Sequence, residues 1–149
     1  MPMRVGTPMP ELTGATEWLN GEPDAAELHG NPVLVYFWAV SCHICHENMP
    51  TIRQWQKEYG PQGLKIVAIH MPRQQEDTDI ERVRKDAADS QISEPCAIDN
   101  LHAIAETFQN QFVPAYFLFD REGCLRSRAA GYTGLSMLEG ALKRQFATE

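Results

Sequence analysis

The sequence predicts an α/β domain in which a mixed central sheet is flanked by helices on both faces. Three observations carry this expectation. From residue 33 to residue 108 strand-like and helix-like segments alternate, the order that joins parallel strands through helical crossovers. Residues 33–39 and 64–70 are nearly all apolar, without the alternation of a half-solvated strand, so both belong inside the sheet. Residues 115–119 and 124–129, joined by the turn Asp120-Arg121-Glu122-Gly123, are close enough for an antiparallel hairpin.

In chain order, residues 8–18 are mixed in character and Asn20-Gly21 is a tight-turn signal, which predicts an N-terminal hairpin or edge extension covering part of the sheet. Asp24 can cap a short helix through Leu28, which Gly30-Asn31-Pro32 stops. The strand over 33–39 leads to Cys42, after which a helix is predicted to about Tyr59. Ile52, Trp55 and Tyr59 recur at i, i+3 and i+7, Gly60-Pro61 closes the segment, and Pro50 inside it predicts a kink. The strand over 64–70 is followed by a polar loop, 71–77. Thr78 and Glu81 have capping-box spacing at the head of a charged surface helix to about Asp89. A short strand, 96–98, precedes Asp99, a cap for a helix over 101–108. After the hairpin, residues 131–134 turn the chain into a helix over 135–146 that buries Leu135, Leu138 and Leu142.

With 149 residues, 43% of them hydrophobic and 22% charged, the whole chain, 1–149, reads as one domain whose core needs no disulfide staples. The net charge of -7, with no basic block, argues against a hold on nucleic acid or anionic lipid. Residues 1–10 contain no apolar signal-type stretch, and eighteen apolar residues never run together, so a cytoplasmic protein outside the membrane is expected. There, four cysteines are expected to be reduced or catalytic.

The chemistry is concentrated at Cys42-His43-Ile44-Cys45. A cysteine where a buried strand gives way to a helix has its sulfur beside unpaired backbone N–H groups and the positive end of the helix dipole, which favour thiolate. Cys42 is therefore expected to be exposed and acidic. Cys45, one turn on, is expected to be more covered and placed to attack a mixed disulfide on Cys42. Lowering a thiol pKa from roughly 8.5 to about 7 raises the thiolate fraction at neutral pH roughly fifteenfold, but lost nucleophilicity leaves a gain of only a few-fold in attack rate. Each unit favours the reduced protein by up to about 1.4 kcal/mol, or roughly 30 mV. Acidity thus sets direction more than speed. An imidazolium at His43 or His46 would push the couple toward the oxidising side; the other reading of both is a pair of solvent-facing residues on a first helical turn.

Phe37-Trp38-Ala39, the Cys-x-x-Cys pair and Pro50 five residues beyond it resemble the active-site stretch of thioredoxin-fold proteins. Val113-Pro114 ahead of an aromatic strand resembles that fold's cis-proline loop, and the helix and strand over 78–98 resemble the insertion of the TlpA/ResA branch. The resemblance implies a thioredoxin-like fold with an N-terminal hairpin extension and an inserted helix-strand unit. It implies a thiol-disulfide oxidoreductase with no cofactor or metal beyond the Cys42–Cys45 disulfide. Client proteins bearing disulfides and an upstream thiol reductant are its implied partners, and the chain is expected to be a monomer. Carried over, Cys42 is the nucleophile, Cys45 the resolving thiol, Trp38 the platform beneath them and Val113-Pro114 the bond whose backbone meets the client, with His43 and Ile44 in support. The pattern departs at Tyr36, where thioredoxin has a buried aspartate, at Arg73, close to where the ResA group has an acid, and at Ser41, where thioredoxin has a second tryptophan. The proton acceptor for Cys45 is left open among Glu76, His70 and water.

Other readings compete. Cys42-His43-Ile44-Cys45-His46 also spells the haem c attachment motif, with His46 as axial ligand, although it follows a core strand in an α/β sequence. A zinc module would need a second Cys or His pair that the spacing does not provide. A thiol peroxidase on the same fold lacks the Pro-x-x-x-Thr/Ser-x-x-Cys pattern of peroxiredoxins, and an isomerase or chaperone role stays open. Cys96 and Cys124 read as buried free thiols in short apolar strands, His29, His70 and His102 as isolated surface or hydrogen-bonded histidines, and Trp18 and Trp55 as core. The acids between Glu76 and Asp89 read as a solvated helix face.

Overall fold

The computed structural model describes residues 3–131 and 134–147. The elements are β1 (Glu17–Leu19), α1 (Ala25–Leu28), β2 (Val33–Trp38), α2 (His43–Tyr59), β3 (Lys65–His70), α3 (Ile80–Asp89), β4 (Cys96–Ile98), α4 (Ala103–Thr107), β5 (Ala115–Phe119), β6 (Leu125–Ala130) and α5 (Gly134–Ala147). The strands form one sheet in the order β1-β4-β3-β2-β5-β6. β2, β3 and β4 run parallel, and β1, β5 and β6 pair antiparallel.

All six residues of β2 are buried, because this strand is paired on both edges and covered on both faces. Leu34, Tyr36 and Trp38 enter a core shared with α2, Val83 and Ala87 of α3, and Leu138, Ala141 and Leu142 of α5. Val33, Val35 and Phe37 enter a second core with Ile104, Ala105 and Phe108, under Met3, Met9 and Leu12 of the N-terminal segment. The strict alternation along one strand keeps these two cores on opposite sides of the sheet.

The N-terminal extension covers the sheet as expected but is not a hairpin. Residues 6–9 hydrogen-bond to Gly123 and Leu125 at one edge, and Thr16 N–H donates to the Ile98 carbonyl at the other, so the segment crosses a whole face and ends as the single edge strand β1. Asn20, with φ 64°, donates from Nδ2 to the carbonyls of Ile92 and Glu94. The turn signal there anchors the edge rather than closing a hairpin.

Several helix boundaries moved for local reasons. Asp24 caps α1 through the N–H of Ala26. Asp79, not Thr78, caps α3, accepting from Glu81 and Arg82 N–H, while Thr78 Oγ1 donates to the Gln75 carbonyl. The loop over 71–77 contains the start of a 3-10 turn, Gln75–Thr78. α2 ends at Tyr59 and runs directly into a 3-10 turn, Gly60–Gln62, and Gly63, at φ 110°, supplies the left-handed residue that ends it. Asp99 does cap α4, but from a distance, accepting from the N–H groups of Ile104 and Ala105. Leu101 lies outside that helix, 79% exposed. In α5 Leu138 and Leu142 are buried and Leu135 is half-buried. Of the turn over 131–134, Tyr132 and Thr133 lie outside the described residues.

Candidate active site

β2 delivers the chain to the C-terminal end of the sheet. A tight turn, closed by Cys42 N–H on the Ala39 carbonyl at 3.0 Å, then makes Cys42 the N-cap of α2. Its Sγ accepts from the Cys45 N–H at 3.1 Å. The two sulfurs are bonded, with the Cα atoms 5.3 Å apart. One turn of helix is what brings residues i and i+3 into this reach. The expected exposure of Cys42 is corrected: it is 3% exposed, against 1% for Cys45. In the bonded pair both cysteines are buried, so the oxidised couple does not present one sulfur outward.

Trp38 is fully buried and packs its faces or edges against two imidazoles, His70 at 4.9 Å and His46 at 6.3 Å between centroids. Ile44 is half-buried against the core that includes both cysteines, as is Val113. The Val113-Pro114 bond is cis. Since Phe37 stands opposite Ala115 in the β2–β5 ladder, one further step along the antiparallel pair sets this bond beside Trp38. The adjacent Phe112 is 65% exposed.

The two histidines of the motif differ. His43 is on the rim, its Nε2 2.8 Å from Glu47 one turn along α2. His46 is instead built in: Nδ1 lies 2.7 Å from the Cys42 carbonyl and Nε2 2.6 Å from Asp86 of α3. Both ring nitrogens are therefore engaged within the fold, one by the backbone of α2 and one by α3. The haem reading needs this ring as a ligand, and the fold uses it as a clamp between α2 and α3. The acids of that helix are therefore not all a solvated face.

The residues before Cys42 are also gripped. The Val40 N–H donates to His70 Nε2 at 3.1 Å. Ser41 Oγ donates to Asp77 Oδ2 at 2.7 Å and accepts from Arg73 Nε at 3.2 Å, while Arg73 Nη2 donates to the Ser41 carbonyl. Asp77 is fully buried and accepts again from the Arg73 N–H. His70 is likewise fully buried, and burial, partly offset by the charge of Asp77, pushes its pKa down to about 4. The sequence reads His70 as an isolated histidine and one of three candidate acceptors for the Cys45 proton, and Asp77 as part of a polar loop or a solvated helix face. The legible signal was the position of His70 at the end of an apolar strand beside the Cys-x-x-Cys strand.

Tyr36, which replaces the thioredoxin aspartate, donates its hydroxyl to Glu94 at 2.6 Å, and Arg53 Nη2 pairs with the same carboxylate at 2.5 Å. Burial and then the Glu94 charge hold the Tyr36 phenol well above its ordinary value. Cys96 is a buried thiol pushed up to about 12 by burial, the inert state its sequence context implied. Cys124 is only half-buried and precedes β6. Among the described residues no three of His, Cys, Asp and Glu converge in a way that could hold a metal. No described helix is long and apolar enough to cross a membrane.

A mixed sheet with a bonded Cys-x-x-Cys pair at the head of a helix and a cis proline beside it defines a thioredoxin-fold thiol-disulfide oxidoreductase. The chain belongs to the AhpC/TSA family, whose model matches residues 5–128. It is 43% identical over 146 residues to the thiol-disulfide oxidoreductase YkuV of Bacillus subtilis (strain 168), covering 97% of this chain and 98% of that protein. The thiol-disulfide oxidoreductase ResA of Bacillus thuringiensis (strain Al Hakam) is 27% identical over 142 residues, covering 95% of this chain and 79% of ResA. The solution structure of a thioredoxin-like protein in the oxidized form superposes with a TM-score of 0.88 at 42% identity, covering 98% of this chain and 99% of that one.

Proposed function

We propose that this oxidoreductase reduces or exchanges disulfides of client proteins, with Cys42 as attacking sulfur and Cys45 as resolving sulfur. In the reduced protein the Cys42 thiolate attacks a client disulfide; the client S–S bond breaks, a Cys42–client bond forms, and one client sulfur leaves as thiolate. Cys45 then loses its proton and attacks Cys42 Sγ, the second client sulfur leaves, and the Cys42–Cys45 bond closes. Two electrons pass to the client, and a dithiol reductant of the same cell restores the pair. The observation that carries this reading is the bonded pair itself, with Cys42 Sγ on the Cys45 N–H at the mouth of α2.

Trp38 serves as the floor of the site, His43 and Ile44 as its rim, and Val113-Pro114 as the edge an extended client segment meets. The exposed Phe112, next to this bond in the chain, offers that segment an apolar contact. As the acceptor of the Cys45 proton, solvent water is favoured over two side chains. His70 Nε2 already accepts from Val40 N–H, and Glu76 is exposed in its loop. The chain is read as a cytoplasmic monomer that transfers electrons by thiol exchange, without metal or organic cofactor.

Two measurements test this. Cys45→Ser should accumulate mixed disulfides on Cys42 that a reductant releases, while Cys42→Ser accumulates none. Equal trapping by both variants overturns the assignment of attacker and resolver. Equilibration with glutathione should give a reducing potential, nearer the about -270 mV of thioredoxin than the about -120 mV of a periplasmic oxidant. A value near the latter overturns the direction.

A further inference from the structure

Besides Trp38 Nε1 on the neighbouring strand, three buried side-chain atoms on residues at or beyond the ends of β3 and β4 have no hydrogen-bond partner: His70 Nδ1, Asp77 Oδ1 and Asn100 Oδ1. Contacts tie the residues that bear them into a ring. The His70 imidazole accepts from Val40 N–H, and Asp77 accepts from the next residue, Ser41. The His70 carbonyl accepts from Asp99 N–H, and Asn100, the next residue, donates from Nδ2 to the carbonyl of Thr78, which follows Asp77. The three unpaired atoms are complementary. Nε2 of His70 is an acceptor, so Nδ1 carries the ring proton and must donate, whereas Asp77 Oδ1 and Asn100 Oδ1 can only accept. A buried carboxylate oxygen without a donor is strongly unfavourable, so the charge of Asp77 acts on the groups around it at full strength.

The chain of bonds ends beside the nucleophile. Ser41 Oγ receives the Arg73 Nε proton, so its own proton goes to Asp77 Oδ2. The other charged or titratable groups around Cys42 and Asp77 include His43 with Glu47, His46 with Asp86, the exposed Arg73 bonded twice to Ser41, His70, and Arg82, whose charge acts on His70. The side chains of the two histidine pairs are between 27% and 86% exposed, where solvent screens them, whereas Asp77 is fully buried.

We propose that Asp77, buried and bonded to Ser41 next to the nucleophile, is a positioning residue of the redox couple whose charge disfavours the Cys42 thiolate and so keeps the couple reducing. When a dithiol reduces the bridge, two electrons enter the S–S bond, Cys45 Sγ takes one proton, and Cys42 Sγ takes a second or stays a thiolate. Asp77 acts on that last choice. This rests on the reducing, Cys42-first reading above and names the residue that sets it.

The test is Asp77→Asn, which preserves shape: the amide oxygen can accept from Ser41 and Arg73 as the carboxylate does. The Cys42 thiol of the reduced variant, followed by the 240 nm thiolate absorbance against pH, should titrate about one unit lower than in the unmodified protein. At pH 8 the equilibrium with glutathione should move toward reduced protein by up to about tenfold, roughly 30 mV. A folded variant with unchanged thiol titration and potential overturns the proposal and leaves Asp77 a structural residue. If the variant does not fold, the unmodified protein decides: coupling is reciprocal, so the Asp77 side-chain carbonyl 13C resonance must shift along the Cys42 titration, and a resonance that stays still overturns the proposal. The potential of the unmodified protein is a separate reading. A strongly oxidising value removes the direction assigned under Proposed function, while the difference made by Asp77→Asn still tests Asp77.

Discussion

Buried His70 should make this protein lose stability on mild acidification. Its folded pKa is about 4, against an ordinary 6.5, because burial disfavours the imidazolium. Between those values the unfolded chain binds a proton at this ring and the folded chain does not, so stability falls as pH is lowered from 6.5 toward about 4. The contribution is fully present above pH 6.5. A displacement of about 2.5 units corresponds to about 3 kcal/mol, a large part of a typical domain's 5–15 kcal/mol of roughly estimated total stability. Carboxylates titrate in the same window, so the comparison that isolates His70 is His70→Gln, whose amide oxygen can still accept from Val40 N–H. Urea unfolding of both oxidised proteins at pH 7, 6, 5 and 4.5 should show the unmodified protein losing about 2–3 kcal/mol more than the variant across the series. Parallel pH dependences would mean that the ring is protonated in the fold or stays wet, and the burial argument would be wrong.

Two further changes probe the frame that holds the site. Glu94→Ala strands the Tyr36 hydroxyl and the 14%-exposed Arg53 guanidinium, and should cost roughly 3–5 kcal/mol of unfolding free energy in urea; a loss below about 1 kcal/mol would show that the trio is solvated. Gly14→Ala places a methyl 2.7 Å from Ala103 Cβ at a residue with φ +98°, so a loss of about 1–3 kcal/mol is expected. Ala103→Gly in the same chain should recover the steric part and not the backbone part. Full recovery would assign the whole effect to the clash.

Much of this protein was readable before folding was considered. The uninterrupted apolar runs at 33–39 and 64–70 located the central strands because a strand covered on both faces tolerates no polar alternation. The Cys-x-x-Cys pair located the chemistry because spacing along one helical turn is a local property, and the family resemblance supplied the cis bond at Val113-Pro114. What tertiary structure decided were the partners. Asp77 and Asp86 are carboxylates among many acids between 76 and 89, and nothing local separates the one buried under Ser41 from the one clamping His46 from those in water. The same holds for Tyr36 and Glu94, which are 58 residues apart and joined by a hydrogen bond, and for Cys42, which is buried despite its place at the head of a helix. Periodicity and spacing are written along the chain, whereas burial and charge pairing depend on which segments the sheet order β1-β4-β3-β2-β5-β6 brings face to face.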